Sequence, residues 1–261
     1  MKNMYGGVVM KDIKVKSLAK ALKVLECFNP RNPELGITQI SRMLGVGKSS
    51  VSNIVSTFEQ LGYLEQNAES GRYTLGLKLL EYSFIINERL GYQRLFHDIM
   101  QDISKEFNAI TYFAIYQDKR VFYMCNCYPP VKAYNYPYRT IVGESAPLYC
   151  TSLGKAMMAY LPSDEVDELM ELERVRYTET TITDEQELRE EIAQIRRQGY
   201  SLDRGEHEYG LYCIGVPILF GENELYGAFS MSSPNLTFTE ENVQRYARSM
   251  REAARIMRER V

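Results

Sequence analysis

Residues 148–157 read LYCTSLGKAM. A thiol (Cys150), two hydroxyls (Thr151, Ser152) and a Gly-Lys pair (Gly154, Lys155) stand together at the head of an apolar run with helical spacing. Four kinds of chemistry use such residues. A phosphate loop needs Gly, four residues, then Gly-Lys-Ser/Thr; here position 149 is Tyr and position 156 is Ala, so the pattern fails. A Ser or Cys hydrolase needs a base and an orienting group beside the nucleophile. The chain has two histidines, His97 and His207; His207, in EHE, could serve Cys150 or Cys213, and no other residue supports the role. A zinc centre would start from Cys125-x-Cys127, two sulfurs on one face of a strand, with Cys150, Cys213 and His207 as further ligands. The alternative is that these cysteines are small buried hydrophobes. Ligand binding is the fourth chemistry: a helix N-terminus whose free N–H groups, from Ser152 to Gly154, hold an anionic group.

The elements that would position these residues come in two sets. In residues 17–28, Leu18, Ala21, Leu22, Leu25 and Phe28 have helical spacing, with Ser17 as N-cap. NPRNPELG breaks the chain. A short helix, TQISRMLG, follows with Thr38 as N-cap and Gly45 at its end. After a tight GVGKS turn, a third helix runs from about Ser49. YLEQNAESGRYTLG then reads as a hairpin. Helix, helix, tight turn, helix and hairpin in about 60 residues outline a winged helix-turn-helix; a plain helical bundle is the bland alternative. From Gly76 to about Phe107 the chain is helical with a weak point at Gly91, and Leu77, Leu80, Phe84 and Ile85 form an apolar stripe suited to a second copy. Beyond it, TYFAIYQ and VFYMCNCY flank a DKR turn, and AYNYPYRTIVG continues extended. TSLGKAMMAYL and SDEVDELMEL are helices meeting at Pro162. TDEQELREEIAQIRRQG is a long helix with Thr183 and Gln186 as capping box and Gly199 at its end. Strands YSLDRGEHE, LYCIGVPILF and ELYGAFSMSS precede a closing helix, ENVQRYARSMREAARIMRERV. The expected fold class is α+β, with an antiparallel sheet carrying helices on its faces.

Composition sets the class. The 261 residues are 45% hydrophobic and 25% charged, as in a globular protein with a packed core. No run of about 20 apolar residues suits a membrane span, and the N-terminus lacks the apolar core of a secretory signal. Five irregularly spaced cysteines read as reduced thiols in a cytoplasmic protein. Residues 1–75 hold ten Lys/Arg against six Asp/Glu, a net of +4; the rest hold 21 against 28, a net of −7. The first segment is the one suited to a polyanion.

The DNA-facing candidates follow from that outline. Thr38 and Ser49 offer hydroxyls and N–H groups to phosphate. Lys48, just before the third helix, and Arg72, beside Gly71 at the hairpin tip, are further phosphate contacts. Ser50, Ser52, Asn53 and Ser56 are polar positions for a groove, and Asn53 could read adenine with both ends of its amide. Val51, Ile54, Val55 and Phe58 are the core candidates of the same helix.

Five stretches in order, ITQISRMLGVGKSSVSNIVSTFEQLGYLE, GRYTLGLKLLE, LYCTSLGKAMMAYLP, GYSLDRGEHEYGLYCIGVPI and GAFSMSSP, resemble the IclR family of bacterial transcription regulators over nearly the whole chain. The resemblance implies a winged helix-turn-helix over residues 14–75, a linker helix over 76–91 and a GAF-like effector-binding domain over 92–261. It implies homodimers, often paired into tetramers, that bind double-stranded operator DNA and respond to small, commonly carboxylate-bearing metabolites. No cofactor, metal ligand or catalytic residue is expected. By the same resemblance the effector pocket takes Ser152, Leu153 and Gly154, then Asp203, Leu211 and Cys213, then Ser230 and Ser232, whose hydroxyls a strand turns to one face. An Asp, two Ser hydroxyls and N–H groups would suit a polyhydroxylated acid. Tyr134, Tyr136 and Tyr138 either cover that pocket or form a half-buried edge strand.

Three features depart from the family: Tyr149 where His is frequent, Ser52-Asn53 where His-Arg is frequent, and Arg204-Gly205 where a second acid is frequent, which makes the pocket less negative. The expectation taken forward is a non-enzymatic repressor of a catabolic operon, sensing a sugar acid or aromatic acid. The rival from another class is a small-molecule or zinc enzyme carrying a DNA-binding arm.

Overall fold

The structure is a computed structural model that describes residues 13–130, 141–221 and 223–261. The chain divides into two units, residues 1–90 and 91–261. In the first, α1 (Lys16–Leu25), α2 (Ile37–Leu44) and α3 (Lys48–Gln60) precede the strands β1 (Leu64–Gln66) and β2 (Tyr73–Leu75) and the helix α4 (Lys78–Leu90). Their shared core is Val24, Phe28, Leu35, Ile40, Val51, Val55, Leu64 and Tyr73. Within α1 the buried residue is Val24, while Leu18 and Leu22 of the expected stripe are exposed. The α2–α3 turn is three residues, Gly45 to Gly47. Gly45 takes φ 65°, the left-handed cap that favours glycine, and the Ser41 hydroxyl donates to the Val46 carbonyl at 2.6 Å. β1 and β2 pair antiparallel, Leu64 opposite Leu75, and Leu35 adds a bridge to Tyr73 through two backbone bonds.

Three capping expectations are corrected here. Ser17 is not a cap: the residue before α1 is Val15, with no side-chain bond. Thr38 and Ser49 lie inside the first turns of α2 and α3, whose caps are Gly36 and Gly47. At α2 the cap works in reverse, since the Gly36 N–H donates to Gln39 Oε1 at 3.0 Å. Thus Lys48 is the first residue of α3, not the one before it.

In the second unit, α5 (Tyr92–Phe107) leads into β3 (Ile110–Gln117) and β4 (Arg120–Cys127). The short strand β5 (Ser145–Ala146), unexpected from the sequence, precedes α6 (Ser152–Met158), α7 (Ser163–Met170) and α8 (Glu185–Gln198). Then come β6 (Ser201–Arg204), β7 (Tyr212–Phe220), β8 (Glu224–Ser233) and α9 (Glu240–Glu259). The strands form one antiparallel sheet in the order β5-β4-β3-β8-β7-β6. Asp118 and Lys119 both take positive φ and turn β3 into β4 in two residues, as a right-twisted hairpin requires. β7 tolerates Pro217 because β6 pairs only Tyr212 to Gly215, so the strand edge at Pro217 needs no donor.

The sheet has two faces. Ala114, Val121 and Ala228 pack on α6 and α8, with Leu153, Met157, Leu188 and Ile195. Phe113, of opposite parity, meets Phe96 of α5 at 4.9 Å between ring centres. GEHE is not part of the β6 strand, which ends at Arg204. Asp184, not Thr183, caps α8 and accepts from the Glu187 N–H at 2.9 Å; the Thr183 hydroxyl instead accepts from Arg176 at 2.8 Å. Most of AYNYPYRTIVG, with Tyr134, Tyr136 and Tyr138, lies outside the described residues.

Candidate functional site

In the first unit, helical spacing places Ser49, Ser52, Asn53 and Ser56 in one stripe of α3. Ser49 and Asn53 are exposed, and Ser52 and Ser56 half-buried. Val51 and Val55 lie in the core, where Ile54 and Phe58 pack against them. Lys48 is exposed at the start of the stripe, where the helix dipole and open N–H groups favour an anion. Ser50 is turned toward α1 and accepts from Lys20 Nζ at 3.0 Å; that contact was not visible in the local spacing. The hairpin tip is built by its own side chains. Asn67 Oδ1 accepts the N–H groups of Glu69 and Ser70 at 2.9 and 3.0 Å, and the Ser70 hydroxyl donates to Glu34 at 2.8 Å. Arg72 follows this tip, fully outside the core.

In the second unit, strand register assembles a cavity of about 240 Å³. Ile110 pairs with Ser232, Ser232 with Cys213, and Cys213 with Asp203. The four form one row across the sheet, and Tyr112 opposite Ser230 begins the next. Same-face pleating turns these side chains toward α6. The α6 N-terminus comes close because β7 carries Gly215 beneath it: a Cβ there would stand 2.7 Å from the Ser152 carbonyl oxygen. Tyr123, Tyr128, Glu144, His207, Glu208 and Leu211 complete the walls.

Of the eight residues expected at a pocket, Ser152, Leu153, Asp203, Leu211, Cys213, Ser230 and Ser232 line this cavity. Gly154 does not, which corrects that expectation. Its N–H is held by the Thr151 hydroxyl at 3.1 Å, and a Cβ on it would lie 2.2 Å from the Leu148 carbonyl oxygen, so Gly154 serves close packing. Only Ser152 and Leu153 of the expected N–H trio remain. Tyr149 is also outside the cavity; its hydroxyl donates to the Val175 carbonyl at 2.8 Å. Arg204 does not offset the cavity's acids. It is exposed and stacks over Phe238, 5.8 Å from the ring centre.

Burial dominates the electrostatics. It pushes the Asp203 carboxyl up to about 7, and the neighbouring Glu206 charge acts the same way, against the Glu206 N–H and Lys155. The Glu206 N–H donates to Asp203 Oδ1 at 2.7 Å. Behind the wall, Lys155 is wholly buried and donates to Glu206 at 2.6 Å and Glu191 at 3.0 Å. Burial likewise raises Cys213 and Cys150, with Asp203 adding to both. A nucleophilic thiol needs the opposite shift. His207 packs edge-on to Tyr177. Cys125 and Cys127 sit on the other face of the sheet, against Met100 Sδ at 3.6 Å and His97 Nδ1 at 3.4 Å. They are therefore not gathered with Cys213, and among the described residues no group of three or more His, Cys, Asp or Glu is placed to hold a metal ion. Among the described residues no helix is long and apolar enough to cross a membrane.

Comparison with known proteins agrees with both halves. Residues 17–68 match the IclR helix-turn-helix domain, and residues 88–258 the C-terminal domain of bacterial IclR transcriptional regulators. The chain is 32% identical over 242 residues to the HTH-type transcriptional regulator KdgR of Escherichia coli K12, covering 92% of this chain and 90% of that one. It is 30% identical over 220 residues to the regulator XynR of the same strain, covering 84% and 86%. In fold it is similar to an IclR homologue from Microbacterium hydrocarbonoxydans complexed with 4-hydroxybenzoate, with a TM-score of 0.78, 24% identity, and coverage of 94% and 98%. The chain belongs to the IclR family of transcription regulators, with an N-terminal helix-turn-helix for DNA and a C-terminal effector-binding domain.

Proposed function

We propose that this regulator is a repressor of a catabolic operon, released or reset by a small hydroxylated carboxylic acid bound in the cavity of the second unit. One observation carries the reading: the row Ser232, Cys213 and Asp203, with Ser230 beside it, presents hydroxyls and a carboxyl to a cavity under the first turn of α6. That surface pairs with ligand hydroxyls, while the Ser152 and Leu153 end of α6 suits a carboxylate. The cavity volume falls below the about 300–1,000 Å³ of sites for drug-sized ligands, which favours a metabolite of sugar-acid or aromatic-acid size. The name "transcriptional repressor" borne by a relative from Escherichia coli, and the 4-hydroxybenzoate in the Microbacterium homologue, support the repressor and the acid respectively.

DNA contact falls to Lys48, Ser49, Ser52, Asn53, Ser56 and Arg72, with Thr38 on the first turn of α2. Few of these are basic, so affinity rests on two copies acting together. The exposed Leu77, Leu80, Phe84 and Ile85 before and along α4 give a second copy its apolar seam. A thermal-shift screen with sugar acids and aromatic acids tests the effector, because a bound ligand raises stability by mass action. A gel shift on the promoter beside its own gene tests the operator. No shift at any promoter, together with turnover of a candidate acid, sinks the proposal in favour of an enzyme with a DNA-binding arm.

A further inference from the structure

Lys155 is the largest anomaly of the second unit. It is a lysine with no exposed surface, and its ammonium lies between two carboxylates from distant parts of the chain, Glu191 on α8 and Glu206 after β6. Burying a charge so completely is costly even when it is paired. An apolar residue of similar volume would fill the same space without that cost. Glu206 adds to the cost, since its second oxygen, Oε2, is buried with no hydrogen-bond partner. The same glutamate reaches the cavity through its backbone, whose N–H is fixed on Asp203 Oδ1. A continuous path therefore runs from the cavity wall to the surface helix: Asp203, Glu206, Lys155, Glu191.

We propose that Lys155 and Glu206 are positioning residues for effector recognition: buried behind the cavity wall, they fix the aim and the ionisation of Asp203 without touching the effector. The proposal rests on the reading of the cavity as the effector site. The Glu206 N–H holds Oδ1, the Gly205 N–H and the Cys213 thiol also bond the carboxyl, and Asp203 so fixed lines the cavity. The groups that bear on Asp203 are Glu206 from its own loop, Lys155 from α6, Cys150 from the chain before it, Cys213 from β7 and Tyr123 from β4, with Glu144, His207 and Glu208 around the same cavity. Both thiols and the phenol are pushed upward by burial and stay neutral at ordinary pH. Behind the wall, Lys155 and Glu206 are the ion pair set against it. Their balance decides whether Asp203 meets a ligand hydroxyl as an acceptor or as a donor. A hydroxylated effector then binds more tightly as pH rises through the point where Asp203 ionises.

The test needs no effector. In the full chain, the stability difference between a protein and its Asp203→Asn form changes with pH only while Asp203 titrates. The pH at which the difference levels off reads the ionisation directly. Glu206→Gln removes a like charge and lowers that pH by about 1; Lys155→Met removes the counter-charge and raises it by about 1. The double variant, Lys155→Met with Glu206→Gln, returns it toward the parent. A merely structural pair would change the stability of all three variants and leave the levelling pH where it was. If Lys155→Met alone fails to fold, Glu206→Gln decides, and an unmoved levelling pH in that variant overturns the proposal. The acid screen is independent. A hit there with an unmoved levelling pH removes the role of the pair and spares the effector reading; a moved levelling pH without a hit does the reverse.

Discussion

Replacing Asp203 by Asn makes the protein more stable, and by an amount that depends on pH. Asp203 is 4% exposed, and its carboxyl rises from 3.8 to about 7 on folding. Between those values the unfolded chain has lost the proton and the folded chain keeps it. The folded state therefore binds more protons, and its stability falls as pH rises. Below about pH 4 both states are protonated and the penalty is absent. Each tenfold change in proton affinity is worth about 1.4 kcal/mol, so above pH 7 the penalty is about 4 kcal/mol. Asn keeps the shape and the acceptor for the Glu206 N–H but cannot ionise. Its amide donors, where a cavity-facing one stays unpaired, return about 1 kcal/mol of that gain. The net expectation is no gain near pH 4, rising to about 3 kcal/mol at pH 8. Urea unfolding of both proteins at half-unit steps from pH 4 to pH 8 measures it. A difference that is constant across this range would show that Asp203 is ionised in the folded state well below neutrality, and the burial argument would fail with it. The same variant loses the response to effector, because the carboxyl that selects a ligand hydroxyl is gone.

Other outcomes are expected alongside it. Ser230→Ala removes a cavity hydroxyl opposite Tyr112; gel shifts should show operator binding intact and no longer sensitive to the acid that shifts the parent. Lys48→Ala should weaken binding to all sequences alike and lower the salt slope by about one, whereas Asn53→Ala should cost about 1–3 kcal/mol at its preferred base and relax the choice there. Gly215→Ala pushes a methyl toward the Ser152 carbonyl and lifts α6 from the sheet, at about 1–3 kcal/mol by denaturant unfolding. Phe84→Glu places a charge in the exposed apolar stripe of α4; sedimentation should show a smaller assembly than the parent.

Local signals carried much of the fold. The spacing of Val51, Ile54, Val55 and Phe58, Gly45 before a short turn, and Asn-Ala-Glu-Ser-Gly between two β-prone runs each act within about a dozen residues, and each element formed where these signals stood. The caps of α2 and α3 were misplaced by two residues because Gly36 and Gly47 take the cap positions. A glycine there leaves no side chain to announce itself, and the neighbouring Thr38 and Ser49 carry the hydroxyls that usually do. The candidate site was legible where a strand alternates, as with Ser230 and Ser232. It was not legible where the deciding contact is remote. Lys155 read as the failed lysine of a phosphate loop because its partner Glu206 lies 51 residues away. Gly154 is a local miss: Thr151, three residues before it, already holds its N–H, and Leu148 occupies the space a Cβ would need.

The distribution of polar groups inside the second unit argues for the cavity's role on energetic grounds. Both faces of the sheet have ordinary apolar packing: Ala114, Val121 and Ala228 under α6 and α8, and Phe113 against Phe96 under α5. Those contacts suffice to hold the helices on the sheet. The charged groups are confined to one end of β6 and the first turns of α6, where Asp203, Glu206 and Lys155 are all at least 95% buried. An apolar replacement of a buried ion pair is commonly neutral or stabilising by about 1–4 kcal/mol, so stability alone does not account for their placement. Nor does strand pairing, since the backbone bonds of the row Ser232, Cys213 and Asp203 form with any side chains. What the arrangement does supply is a carboxyl poised near neutrality, aimed by a fixed N–H and facing a space of metabolite size. A cost of several kcal/mol held at one cavity wall, in a unit whose other described buried side chains are uncharged, is what a binding site requires and a structural core does not.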